Sequence, residues 1–393
     1  MNHSEEPAPA WVGERPTALQ SSAVLAVGIV AVMIAGLQPL LLGALLREGR
    51  LTAAQIGHAA TAELLTMGLA AALAGAWLQA ERLKAIVFGA GIALAAANLA
   101  TLRVSGEALT LVRAAAGVPA GLLLWITIGM ISRAPRPQWW SGVFLTLQTL
   151  AQLVTAAALT AWVVGRYGAN GGFVALAAMG VFAALAGLAG PARYGRLAAS
   201  DETQGLLPPA GWAALAACFL FLAFIVGVWV YAEPLSHQAG HDPAVAGTAV
   251  SISLACQVLG GAAATLLAGR IRWFWAVAIC AAADLALLAV FASLPGPTLF
   301  LGAAGLFGFL WLFVLPFFAP MAIEADPSRR AAVLLGGAQL VGGSLGPLLA
   351  SFLVTDAETR GALAFGAGCL LLAVALAAGL HLRHGGARTA QAV

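Results

Sequence analysis

Apolar residues in this chain come in runs, about twelve in all, most close to the roughly 20 residues a helix needs to cross the hydrocarbon core of a bilayer. They fall at 21–46, 54–78, 85–103, 108–131, 139–163 and 172–192, then at 210–232, 245–269, 273–292, 298–322, 331–354 and 361–382. Only 9% of the 393 residues are charged and 61% are apolar, whereas a soluble domain carries roughly 25% charge. So few charges cannot cover a water-facing surface, and lipid is the expected solvent. A net charge of +3, spread thinly, argues against a nucleic-acid partner. The expected fold is an all-α integral membrane protein of twelve transmembrane helices.

The intervening charges orient the spans. With both termini inside, the inner segments hold Arg15, Arg82, Lys84, Arg133, Arg136, Arg193, Arg196, Arg270, Arg272, Arg329, Arg330, Arg383 and Arg388. The outer loops hold Arg47, Arg50, Arg103, Arg166 and Arg360. Basic residues near span ends are retained on the cytoplasmic side, so the expected location is a bacterial inner membrane with cytoplasmic ends. Trp77, Trp139, Trp140, Trp162, Trp212, Trp273 and Trp275 sit at span ends, where indoles favour the headgroup layer. Cys218, Cys256, Cys280 and Cys369 lie in apolar runs without metal-site spacing and read as small buried hydrophobes.

The halves repeat. Ala95–Ala100 (AAANLA) matches Ala281–Ala286 (AAADLA), Ala151–Val154 matches Ala338–Val341, and Ala114–Gly117 resembles Gly302–Gly305. Thr52 and Asp242, both good N-caps, are each followed by Ala at +2 and Gly at +5. Gln55 completes a capping box with Thr52, and Pro243 takes the first helical position. The expected organisation is a cytoplasmic tail (1–20), a six-helix bundle (21–192), a cytoplasmic linker (193–209), a second six-helix bundle (210–382) and a cytoplasmic tail (383–393). Parallel repeats of this kind build one class of secondary transporter.

With the duplication and the linker, Arg113-Ala114-Ala115-Ala116-Gly117 in span four, followed by Pro119 and Gly121, resembles the span-four motif of the major facilitator superfamily (MFS). Between spans two and three, Gly75 to Lys84 (GAWLQAERLK) stands where that family has G-x-x-x-D-R-x-G-R-K, with Gln79 at the acidic position and Glu81, Arg82 and Lys84 keeping mixed charge. The resemblance implies cytoplasmic ion pairs there that latch one half on the other. The G-x-x-x-G-P pattern that the drug/proton antiporter branch has in span five occurs instead in span eleven, as Gly342, Gly346 and Pro347. Glycines four apart permit close helix approach. Gly117, Gly121, Gly342, Gly346 and Pro347 are therefore expected to serve packing and conformational change.

Ionisable groups inside a membrane are costly and are functional candidates by default. Glu63 in span two and Arg113 in span four are expected to face each other and to couple transport to protons, the alternative being a static ion pair. Asp284 in span nine reads as a polar packing position shared with its repeat partner Asn98, and Arg113 aligns with Leu301. The family resemblance places the cavity on spans one, four, seven and ten, helped by two, five, eight and eleven. Gln38, Gln148, Gln152, Trp229, Tyr231, Gln257, Trp311 and Gln339 are the polar or aromatic candidates there. Glu233, His237, His241 and Asp242 cluster at the outer end of span seven; Gly240 is expected to end the helix, which leaves Glu233 as a possible outer gate rather than a metal ligand.

No Walker-type G-x-x-x-x-G-K-[ST] and no H-E-x-x-H occurs. The function expected is alternating-access transport of a small amphipathic, aromatic or monoanionic solute, linked to protons, by a monomer without cofactor, metal or enzymatic activity. The second reading is a non-transporting membrane sensor or receptor of the same fold.

Overall fold

The computed structural model describes residues 11–195, 207–267 and 269–390, without the side chains of 384–390. The N-terminal half contains α1 (Ala18–Arg47), α2 (Ala53–Trp77), α3 (Leu83–Ala100), α4 (Gly106–Ile131), α5 (Pro137–Ala158) and α6 (Gly165–Gly187). The C-terminal half contains α7 (Pro209–Trp229), a short α8 (Ala232–Gln238), α9 (Pro243–Leu267), α10 (Trp273–Ala292), α11 (Pro297–Val314), a short α12 (Phe318–Ala325), α13 (Arg330–Ser351) and α14 (Gly361–Ala390). No strand occurs among the described residues.

Among the described residues, eleven continuous helical stretches are long and apolar enough to cross a bilayer. One of them, the 51 residues of Pro137–Gly187, is two spans. Its backbone leaves helical geometry at Gly168 (φ 62°, ψ −157°), just beyond a π-helical turn at Leu159–Val164. Before the break α5 packs on α1 and α9; after it α6 packs on α3 and α1. The chain is therefore a twelve-span membrane protein. A Cβ at Gly168 would collide with the Glu48 carboxylate, which also accepts from Ala169 N at 2.6 Å, so the reversal is pinned to the end of α1.

Local chemistry sets the helix ends. Thr52 and Gln55 form the expected capping box on α2, and Thr17 with Gln20 forms another on α1. Asp242 accepts from Ala244 N at 2.8 Å and Pro243 is the first residue of α9. Span ten is interrupted where Pro316 denies a backbone donor, giving a 3₁₀ turn at Leu315–Phe317 between α11 and α12. The last helix runs on to Ala390, beyond the expected span end at 382. Trp77, Trp139, Trp162, Trp212 and Trp275 are exposed as headgroup-layer indoles should be. Trp140 is half-buried against Trp11. Trp273 departs from that expectation: it is buried and donates to the Glu324 carboxylate at 2.6 Å.

The duplication is visible in the backbone. Left-handed residues pair between the halves as Gly49 with Gly240, Arg82 with Gly269 and Gly106 with Leu294. Packing repeats too: α4 lies on α2 as α11 lies on α9. The halves meet along α2–α13 and α5–α9, and exchanging the halves turns one of these contacts into the other. That is the arrangement of parallel repeats about an axis along the membrane normal.

Candidate functional site

The two ionisable residues of the N-terminal half meet. Gly117 brings α4 so close to α2 that a Cβ there would strike Glu63 O and the Thr66 hydroxyl, and Gly121 does the same to Met67 O. Thr66 Oγ1 donates across this seam to Ala114 O at 2.8 Å. Arg113, one turn before Gly117, then reaches Glu63 with two donors: Nε to Oε2 at 3.0 Å, and Nη2 to Oε1 in a very short contact. Nη1 donates to Asn98 Oδ1 at 2.9 Å and to Thr101 Oγ1 at 3.1 Å, and the guanidinium lies 5.0 Å from the Phe173 ring centre. Both side chains are 1% exposed. A bidentate arginine–carboxylate pair with its spare donor satisfied is the geometry in which attraction best offsets the loss of water.

This network belongs to the interior of the N-terminal half. It is held by α2, α3, α4 and α6, and the small void beside it is closed on the α1 side by Val30, Ala31 and Ile34. Gln38 is fully buried, and neither of its side-chain polar atoms is hydrogen-bonded among the described residues. It stands four residues after Ile34 and seven after Ala31, hence on the same face of α1. Sequence reasoning had treated Asn98 as packing; it is a ligand of the arginine.

The C-terminal half places different residues at the matching point. Gly308 on α11 presses on Ser253 O of α9 as Gly117 presses on Glu63 O. The structural counterpart of Arg113 is therefore Ala304, one turn beyond the Leu301 expected from the sequence match, and the counterpart of Glu63 is Ser253. Ser253 and Ala304 line an almost wholly apolar void with Trp229, Val250, Phe300 and Phe307, and the buried Ser253 hydroxyl has no partner among the described residues. Asp284 is buried on α10, and its Oδ1 has no partner among the described residues.

The remaining candidates lie on or just beyond α5, α7, α9, α11 and α13. Trp229 is buried and meets Trp311 edge to face at 5.7 Å. Gln152 donates to Val32 O at 2.8 Å and packs against Gly36. Gln257 is buried with Nε2 unpaired, while Gln148 and Gln339 are half-buried. Tyr231 is buried, its hydroxyl against Gly57 of the other half.

Among the described residues, the hydrogen bonds that join the halves all lie toward the end that the charge bias assigns to the outside. Arg47 at the end of α1 pairs with Glu233 on α8. Ala53 N, at the start of α2, donates to Asp356 Oδ1 at 2.6 Å. Leu348 N, next to Pro347 inside α13, donates to Thr61 Oγ1 at 3.0 Å, and Trp229 Nε1 donates to Ala35 O at 3.1 Å. Gly342 and Gly346 seat α13 on α7 at the Phe219 and Ala223 carbonyls. Glu233 is 1% exposed with Oε2 unpaired, and burial raises its pKa to about 6 against the opposing pull of Arg47. Arg47, Asp356 and Thr61 were missed from the sequence. The available signal was that outer basic residues are exceptions needing a reason, and Arg50 and Arg360 likewise have carboxylate partners, Glu48 and Glu358.

Glu81, Arg82 and Lys84 are exposed and form no ion pair among the described residues. Their loop is tied within its own half, Leu83 N donating to Ala192 O at 2.9 Å and Tyr194 N to Ala80 O at 2.9 Å, so it does not latch the halves here. Gly240 (φ 76°) ends α8 and turns His241 away from Glu233, toward Ser236 and Pro295 O. No group of three metal-ligating side chains occurs among the described residues.

No protein-family profile and no curated protein sequence matches the chain. Solved structures do. A mutant of the nucleoside transporter NupG aligns at 15% identity over 91% of this chain and 99% of that one, with a TM-score of 0.69. NupG itself aligns at 16% identity over 92% and 99%, with a TM-score of 0.63. A bacterial homologue of the human lysosomal transporter Spinster, inward-facing and occupied, aligns at 15% identity over 93% and 95%, with a TM-score of 0.61. Twelve spans in two parallel repeats superpose on these structures over nearly the whole chain, so this protein has their fold, the one that the resemblance in the sequence implies.

Proposed function

We propose that the protein is a secondary transporter moving a small organic solute by alternating access, held here closed to the outside and unfastened on the inside. The observation that carries this reading is the one-sided bonding between the halves. Four interactions fasten the outer side, while the inner part of α13 is open, with Val333 82% exposed and no atoms near the added Cβ positions of Gly336 and Gly337. A device that rocks about its middle needs such removable contacts on one side at a time.

The solute site is proposed between the halves, with Trp229 and Trp311 offering flat apolar area and Gln148, Gln257 and Gln339 offering donors and acceptors. A panel of test solutes therefore starts with nucleosides, since NupG is a nucleoside transporter, and extends to aromatic monoanions. Proton coupling is proposed at Glu63. A proton arriving there frees Arg113, which keeps Asn98 and Thr101 as partners, so the charge on α2 changes while the guanidinium on α4 keeps its acceptors. Counterflow in proteoliposomes tests the transport reading, and a solute that binds but never crosses would favour the sensor. Glu63→Gln is expected to retain counterflow and lose proton dependence; unchanged proton dependence removes Glu63 from the mechanism.

A further inference from the structure

The inner end of the N-terminal half carries a second polar construction that the transport reading does not use. The segment before α1 folds back over it: Val12 N donates to Arg133 O at 3.0 Å, Gly13 lies against Gly195, and Trp11 meets Trp140 edge to face at 5.8 Å. Beneath this strap is a cavity of about 250 Å³, walled by Arg15, Lys84, Arg133 and Arg193, with Glu14 the one carboxylate among the described residues that wall it. Glu14 offsets little, since its nearest approach to Arg193 is 3.9 Å and both are largely exposed.

Arg133 is the fixed member. Nε donates to Gly195 O and Nη1 to Gly129 O, each at 2.7 Å, and the guanidinium lies 5.2 Å from the Tyr194 ring centre. Tyr194 is held in turn by its hydroxyl donating to Ile126 O at 3.0 Å. These partners orient the arginine without neutralising it, and no carboxylate pairs with it among the described residues. Four cations converging on a partly enclosed space beside a membrane surface are suited to an anion with several acceptor oxygens.

We propose that this cavity binds a phosphate group, held on Arg133 with Arg15, Lys84 and Arg193 closing around it. The phosphate comes either from an anionic lipid headgroup or from a soluble anion; the four cations serve both. Its occupancy would tie the pre-α1 strap and the first residues of the linker, Arg193–Gly195, to the inner ends of α3 and α4.

The test is binding to the full chain in detergent micelles, read by thermal shift and native mass spectrometry. Phosphatidylglycerol and inorganic phosphate are compared with phosphatidylcholine and sodium chloride at matched ionic strength. Tighter binding of phosphatidylglycerol supports the site and names the lipid source; tighter binding of inorganic phosphate supports it and names the soluble one. Arg15→Gln with Arg193→Gln, both exposed and outside the bundle, is expected to weaken that binding roughly thirtyfold, about fivefold per cation. Arg270→Gln with Arg272→Gln, exposed cations at the same end of the other half, is expected to leave it unchanged. The proposal fails if neither phosphate source outbinds its reference, or if the second pair of substitutions weakens binding as much as the first.

Discussion

Two helix pairs related by the internal repeat, α2–α4 and α9–α11, approach through a glycine set against a backbone carbonyl, yet they enclose opposite chemistries. Beneath Gly117 lie Glu63 and Arg113, with Asn98 and Thr101 completing the shell; beneath Gly308 lie Ser253, Ala304 and an apolar void. Backbone and close approach were thus kept through duplication while the contents diverged. The seam tolerates either filling because a fully bonded ion pair and an apolar plug both leave few polar groups unpaired. The difference assigns the halves different work: charge chemistry in the first, an apolar and aromatic wall in the second.

Breaking the charged side should have the largest effect. Arg113→Ala, which imports the residue of the C-terminal half, leaves Glu63 buried without its counter-ion and is expected to cost about 3–5 kcal/mol. Thermal unfolding in detergent would show it, and Glu63→Leu with Arg113→Leu should recover most of the loss. A double variant as unstable as the single one would mean the shell, not the pair, was being measured.

Moving to the ion pair between the halves sharpens the contrast, because under the proposed alternating access Arg47–Glu233 comes apart when the outer side opens. The pKa of Glu233 in the closed form is about 6, raised by burial above its ordinary 4.5. The closed form is therefore favoured fully below pH 4.5 and loses that advantage as pH rises through about 6, a swing on the order of 2 kcal/mol. Distance measurements between outer-loop labels across pH 4 to 8 should follow this titration in the wild type. Glu233→Gln should abolish it and hold the closed population steady. A titration that survives the substitution would place the sensing group elsewhere.

The smallest test compares Asn98 with its sequence counterpart Asp284. Asn98→Leu removes an acceptor from Arg113 and should cost about 1–3 kcal/mol. Asp284→Leu removes a buried carboxyl with an unpaired oxygen and should be neutral or stabilising. Equal losses at both sites would undo the assignment of polar work to one half.

The spans and the duplication were legible in the sequence because hydrocarbon demands long apolar helices and Thr52, Asp242 and Pro243 mark helix starts by local chemistry. The reversal at Gly168 was read as a gap between two runs rather than as a kink in one continuous helical stretch, since a glycine turn carries no hydropathy signal. Rotation of each helix about its axis was harder to read. Lipid and protein interior are about equally apolar, so the burial of Trp273 and the turn of Asn98 toward Arg113 leave no trace in the pattern. Glu63 and Arg113 could be singled out because charge in a membrane is conspicuous; Thr61 and Asp356 could not, because their partners are backbone atoms.

That last feature bears on how the outer closure can change over time. Three of its four cross-half bonds end on main-chain groups, Ala53 N, Leu348 N and Ala35 O, which substitution at those positions by residues other than proline does not delete. Drift can unfasten them only from Asp356, Thr61 or Trp229, one partner at a time and with no compensating change available opposite. Correlated substitution between distant homologues should therefore report the Arg47–Glu233 contact and stay silent about the other three, so that a map of covarying positions would underestimate how firmly the two halves are joined.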